Sequence, residues 1–286
     1  MALTPTTTFA TADDGLRLAA HLTGAGSPLL CLPGGPLLDT RYLGDLGGLS
    51  SHRRLVLLDP RGSGASDHID DAAAYRCDRM VADVEAQRRH LGLDTIDLLA
   101  HSAGANLAYR YAESFPGRVG RLVLVTPSVS ALGIAVPDAA RREIAQLRKN
   151  ESWYPEAAAA LASIQDGAAT EADWSAIAPF SYGRWDEAVQ AYDAAVEARR
   201  KPDAAAAFVA DGAFDPPATR AALAALDVPV LVLAGGWDVG NPPRVMVQVA
   251  DLFFRGRLVV QPEAGHFPWV DHPARFRELV ATFLAE

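Results

Sequence analysis

Three apolar runs constrain this chain more than anything else in it: L-V-L-L at 55–58, L-V-L-V at 122–125 and V-L-V-L at 230–233. None of them alternates with polar residues. A strand with one wet face alternates with a period of two, so an unalternated run of strand length is buried on both faces, as in a parallel sheet sandwiched between helices. Further short β-rich runs lie at 6–11, 16–22, 28–32, 95–100 and 258–261. The first two flank Asp13-Asp14-Gly15, an acidic, glycine-containing turn that reads as a hairpin.

Between the later runs the sequence turns helical. Residues 78–91 space Met80, Val84 and Leu91 at helical intervals among charges, and residues 273–284 put Phe276, Leu279, Val280 and Phe283 on one stripe. A hairpin followed by alternating strand and helix predicts an α/β fold: a mostly parallel, eight-stranded sheet with helices on both faces. Residues 128–214 break the rhythm, with no strand-like run and with alanine runs at 157–160 and 204–207 that favour helix. The expected organisation is a core made of 1–127 and 215–286, with 128–214 as a helical insertion between two core strands.

The stretch L-L-A-H-S-A-G-A-N at 98–106 places Ser102 between a predicted strand and a predicted helix. A nucleophile on so sharp a turn needs small residues two positions before and after it, and Ala100 and Gly104 meet that requirement. A serine hydroxyl is a poor nucleophile until a base takes its proton and a carboxylate orients that base. After V-L-V-L-A comes G-G-W-D-V-G, which puts Asp238 on the loop beyond a strand. After L-V-V-Q-P comes E-A-G-H-F-P, which puts His266 on the next such loop. His272 is the second choice for the base, Asp215 and Glu263 are alternatives for the acid, and His101 is expected to face away from the serine. L-P-G-G-P at 32–36 follows the third predicted strand, where glycines let backbone approach a substrate. The backbone N–H groups of Gly35 and Ala103 are the expected oxyanion donors.

These features resemble the α/β-hydrolase superfamily, and within it the proline iminopeptidase-like branch. The resemblance spans nearly the whole chain and is carried by P-G-G-P at 33–36, D-P-R-G-S-G-A-S at 59–66, A-H-S-A-G at 100–104, G-G-W-D at 235–238 and A-G-H-F-P-W at 264–269. It implies that Asp59 and Arg61 brace neighbouring loops and that 128–214 form a cap over the site. The chain departs from the branch at Pro33 and Leu37, where the branch carries H-G-G-P-G, and at A-H-S-A-G, where it carries G-G-S-W-G. In such peptidases cap carboxylates hold the substrate's amino group; here Glu151, Glu156, Glu171, Asp173, Asp186, Glu187, Asp193 and Glu197 are available. Gly34, Trp153, Trp185 and Trp269 are the expected substrate contacts.

The expected activity is that of a serine hydrolase with an acyl-enzyme, acting on a small amide or peptide, or else on an ester or lactone. A non-catalytic ligand-binding protein of the same fold and a non-hydrolytic use of the site are the rivals. No metal or organic cofactor is implied, because there is no ligand-spaced His/Cys/carboxylate cluster and no phosphate-binding glycine loop. A net charge of −9 argues against a basic nucleic-acid surface. With no export signal at the start and no membrane-length apolar run, a cytoplasmic enzyme is expected. Cys31 and Cys77, the two cysteines, are too few for a disulfide framework, and Cys31 reads as a buried small hydrophobe.

Overall fold

The computed structural model describes residues 5–286. Eight strands form one sheet: β1 Thr6–Thr11, β2 Arg17–Thr23, β3 Pro28–Leu32, β4 Arg54–Leu58, β5 Ile96–His101, β6 Val119–Val125, β7 Val230–Gly235 and β8 Gly256–Gln261. The helices are α1 Val81–His90, α2 Gly104–Ser114, α3 Asp138–Gln146, α4 Tyr154–Gln165, α5 Glu171–Ala176, α6 Glu187–Glu197, α7 Pro202–Phe208, α8 Pro216–Ala224, α9 Pro243–Ala250, α10 Pro268–Asp271 and α11 Pro273–Ala285.

Strand order is β1-β2-β4-β3-β5-β6-β7-β8, with β1–β2 and β2–β4 antiparallel and every later pairing parallel. The unalternated runs occupy the middle. Because successive side chains point to opposite faces, each run supplies both layers of the core. Leu30, Val56, Leu98, Leu122, Leu124 and Val232 face one way, packed with Val84 of α1, Tyr109 of α2 and Met246 of α9. Leu29, Leu55, Leu57, Leu99, Val123 and Leu231 face the other way, against Phe276, Val280 and Phe283 of α11. β8 is an edge strand, and its Val260 is 38% exposed.

The order of strands also fixes where a site can form. The chain leaves β3 for β4 on one side, then crosses to β5 on the other side of β3 and continues outward to β8. Connections on the two sides diverge there and leave a crevice beyond the carboxyl ends of β3 and β5. The residues that follow those two strands are Pro33-Gly34-Gly35 and Ser102. Between β6 and β7 the described chain carries helices α3 to α8 and no strand, with both alanine runs inside helices. Ala145, Ala157, Leu161 and Phe180 of this segment form a small core of their own, which Val239 joins from the loop after β7.

Candidate active site

Ser102 has φ +50°, the left-handed region that a non-glycine residue occupies only under constraint. The constraint is local. Ser102 N donates to Val125 O at 3.0 Å, and its carbonyl accepts from Ala105 N and Ser128 N, each at 3.0 Å. Helix α2 starts at Gly104 because the turn completes within Ser102 and Ala103. A Cβ at Gly104 would lie 2.6 Å from Leu32 O and 2.5 Å from Pro33 O, so α2 can approach β3 only with glycine there. Ala100, by contrast, fits a fully buried place in β5. The asymmetry explains why a motif missing its first glycine still forms the turn.

His266 lies between β8 and α10. Its N–H donates to Ser181 O at 2.7 Å, and its carbonyl accepts from Thr126 Oγ1 and His101 Nε2, both at 2.9 Å. The imidazole Nε2 is 2.8 Å from Ser102 Oγ, and Nδ1 is 2.8 Å from Asp238 Oδ2. Asp238 is fully buried after β7, and its other oxygen accepts from Asn241 N at 3.1 Å. A carboxylate facing Nδ1 selects the tautomer with its proton there, which leaves the Nε2 lone pair aimed at the serine hydroxyl. His266 is 17% exposed and Ser102 is half-buried, so the reacting end of the array reaches a surface while its acid end is dry.

The alternatives lie elsewhere. His272 is exposed ahead of α11, Glu263 is exposed, and Asp215 caps α8 by accepting from Ala218 N at 3.1 Å. Cys31 is fully buried, and burial pushes its thiol up, so it supplies no thiolate.

Beyond β3, Gly34 rests on the turn: a Cβ there would come 2.9 Å from Ser102 Cβ. Its N–H donates to Tyr42 Oη at 2.6 Å. The N–H groups of Gly35 and Ala103 have no acceptor among the described residues, which is the condition of a donor kept for a ligand. Asp59 and Arg61 brace the neighbouring loops. The buried Asp59 accepts from Thr40 N, Thr40 Oγ1, Ala65 N and His21 Nε2 at 2.7–2.9 Å. Arg61 pairs with the buried Asp83, its Nε at 2.7 Å, and with Asp14 at 3.0 Å.

The three expected tryptophans differ. Trp269 is 4% exposed, edge-on to His101 at 4.8 Å and packed with Phe267 and Phe276. Trp153 is partly exposed and shares the Arg148 guanidinium with Trp237, at 4.9 and 4.5 Å from the ring centroids. Trp185 lies beside Tyr182 at 5.6 Å, also partly exposed. Sequence reasoning missed Tyr42, Thr126 and Asn241. Only Asn241, three residues after Asp238, carried a signal, that of a local side-chain-to-backbone turn.

Among the described residues no group of three or more His, Cys, Asp or Glu gathers at a metal-binding distance, and no helix is long and apolar enough to cross a membrane. Residues 27–273 match the family described as alpha/beta hydrolase fold. A 2-hydroxymuconate semialdehyde hydrolase of Pseudomonas sp. strain CF600 is 28% identical over 289 residues, covering 95% of this chain and 92% of the relative. A solved thermophilic esterase of Thermogutta terrifontis superposes with TM-score 0.69 at 26% identity, over 99% of this chain and 98% of its own. A proline iminopeptidase of Mycobacterium smegmatis has the same fold, with TM-score 0.77 at 23% identity and 98% of each chain covered. With the sheet order, the turn at Ser102 and a match over most of its length in agreement, the chain belongs to the alpha/beta hydrolase fold family and is a hydrolase enzyme.

Proposed function

We propose that the enzyme is a serine hydrolase of small carboxylic esters, with Ser102 as nucleophile, His266 as general base and Asp238 as its orienting acid. The observation that carries this reading is the continuous array Ser102 Oγ, His266 Nε2, His266 Nδ1 and Asp238 Oδ2, with both gaps at 2.8 Å. Ser102 Oγ forms the bond to the acyl carbon as its proton passes to His266 Nε2. The negative charge on the former carbonyl oxygen is held by the N–H groups of Gly35 and Ala103. The ester C–O bond then breaks, and the leaving oxygen takes the proton from His266. Water, deprotonated by the same nitrogen, attacks the acyl carbon; the acyl–Oγ bond breaks, Ser102 Oγ takes the proton back from His266, and the acid is released.

The preference for an ester over a peptide with a free amino terminus rests on the segment 128–214, read as a cap. An amine would need a carboxylate left free to receive it. Glu151 pairs with Arg148, Glu197 with Arg200, Asp193 accepts from Tyr182 Oη at 2.9 Å, and Asp173 and Asp186 cap α5 and α6. Glu156, Glu171 and Glu187 are solvent-exposed. On the rim, a cation rather than an anion meets the glycine loop: Arg200 Nη1 donates to Gly35 O at 3.0 Å. Trp153 and Trp185 are the apolar surfaces the cap offers to a substrate. The thermophilic esterase of Thermogutta terrifontis among the structural relatives agrees with this choice.

A fluorophosphonate probe should label the wild type at one site and leave Ser102→Ala and His266→Ala unlabelled while both remain folded. Asp238→Asn should lower kcat by about 10⁴-fold, as tautomer loss does in other Ser-His-Asp enzymes. Folded wild type that takes up no label refutes the nucleophile. Turnover of prolyl arylamides above that of short-chain aryl esters refutes the choice of ester.

A further inference from the structure

His101 stands beside the nucleophile, yet the chemistry above makes no use of it. It is 2% exposed, and both ring nitrogens are engaged. Nε2 lies 2.9 Å from the backbone oxygen of His266, which can only accept, so Nε2 carries the proton. Burial drives the ring neutral, far below the ordinary imidazole value. In a neutral ring Nδ1 is then the acceptor, and Tyr42 Oη, 2.8 Å away, donates to it. The same phenol oxygen accepts the N–H of Gly34 at 2.6 Å. Every direction in the chain of bonds is therefore fixed: Gly34 N–H to Tyr42 Oη, Tyr42 O–H to His101 Nδ1, His101 Nε2–H to the carbonyl of His266.

The two ends of this relay are what give it meaning. One end is the residue before Gly35, the proposed oxyanion donor; the other is the backbone of the proposed base. Those loops follow β3 and β8, which lie far apart in the sheet order and meet only over the end of β5. Water is kept from the relay by aromatic packing. Tyr42 is 4% exposed and edge-on to Phe267 at 6.2 Å, and Trp269 stands perpendicular to His101. From the helical segment, Tyr192 Oη donates to Tyr42 O at 2.7 Å and holds the phenol's own backbone.

We propose that Tyr42 and His101 are positioning residues that hold the Gly34–Gly35 loop and His266 in register on either side of Ser102, an inference that rests on the reading of Ser102 as nucleophile. Neither side chain touches substrate. Each acts by fixing a group that does, and a displacement near 1 Å at a reacting centre is enough to cost about 100-fold in rate.

Four substitutions in the 286-residue enzyme separate the two halves of the relay. His101→Gln can keep the donor to His266 and loses the acceptor for Tyr42. His101→Asn can keep that acceptor and loses the donor. His101→Leu loses both, and Tyr42→Phe frees Gly34. With an aryl ester, His101→Leu and Tyr42→Phe should lower kcat by roughly 10- to 100-fold and slow fluorophosphonate labelling in parallel, with KM within about threefold of wild type. The glutamine and asparagine variants should each recover part of the loss. Val280→Ala, fully buried in α11 and outside the relay's hydrogen bonds, controls for plain destabilisation and should keep its kcat per folded molecule. The inference is overturned if His101→Leu turns over and labels as fast as wild type, or loses no more than Val280→Ala at a matched folded fraction. If wild type itself fails to label, the nucleophile reading falls and takes this one with it, a result distinct from normal labelling in both wild type and His101→Leu.

Discussion

Gly34→Ala isolates the packing of the glycine loop on the nucleophile, because one methyl group is the whole perturbation. The added Cβ would meet Ser102 Cβ at 2.9 Å, His101 O at 3.0 Å and His101 Nδ1 at 3.1 Å, against an ordinary contact of 3.4–4 Å. Relief at the tightest contact requires a retreat of between 3.4 − 2.9 = 0.5 Å and 4.0 − 2.9 = 1.1 Å. None of the three neighbours is the loose end of a flexible side chain: one is backbone, one is the Cβ of a strained turn, and one is a ring nitrogen already bonded to Tyr42. The loop must therefore give way, and Gly35 N–H moves with it. Overpacking of this kind destabilises by about 1–3 kcal/mol, and a donor displaced by up to an ångström should lower kcat by roughly 10- to 100-fold. Steady-state hydrolysis of an aryl ester reads the second effect and urea unfolding the first. Gly117→Ala is the matched control: it is exposed, nothing lies within 4 Å of its added Cβ, and activity should stay within about twofold of wild type. A Gly34→Ala enzyme as fast and as stable as the Gly117→Ala control would refute the close approach and, with it, the assignment of the loop.

Two further outcomes follow from buried ionisable groups. Arg61→Met leaves Asp83, 3% exposed, without its partner and should cost about 3–5 kcal/mol in urea unfolding, while the double variant Arg61→Met/Asp83→Leu recovers much of it; a single variant as stable as wild type would mean the pair contributes nothing. The second concerns His101, neutral in the folded protein and titrating near 6.5 when unfolded. Below that pH the unfolded chain binds one proton more than the folded one, so stability present above 6.5 is lost as pH falls toward the depressed folded value, by about 1.4 kcal/mol per pH unit. Unfolding free energies of wild type and His101→Gln should run parallel above about pH 6.5 and diverge by that slope below it, down to about pH 5, and curves parallel throughout would count against a neutral buried ring.

Much of the fold and the proposed triad was legible in the sequence, for reasons that are local. L-V-L-L, L-V-L-V and V-L-V-L can sit only where both faces of a strand are covered. Ala100 and Gly104 bracket Ser102 because a tight turn excludes larger neighbours within a few residues. Asp238 and His266 could be found because each follows the end of a strand, and parallel strands bring those ends to one edge of the sheet.

What the sequence could not supply was decided by partners distant along the chain. Tyr42 and His101 are 59 residues apart, and His101 and His266 are 165 apart. No period or motif ties them, and only the packing of β3, β5 and β8 makes them neighbours. The carboxylates of residues 128–214 are alike as letters, yet the fold gives Asp193 to a tyrosine, Glu151 and Glu197 to arginines, and leaves Glu156 and Glu187 to water. His101 shows the division most clearly. The sequence placed it on the turn and turned it away from the nucleophile, but only the tertiary structure set an acceptor at Nε2 and a donor at Nδ1, because a ring's tautomer depends on what faces it across the fold.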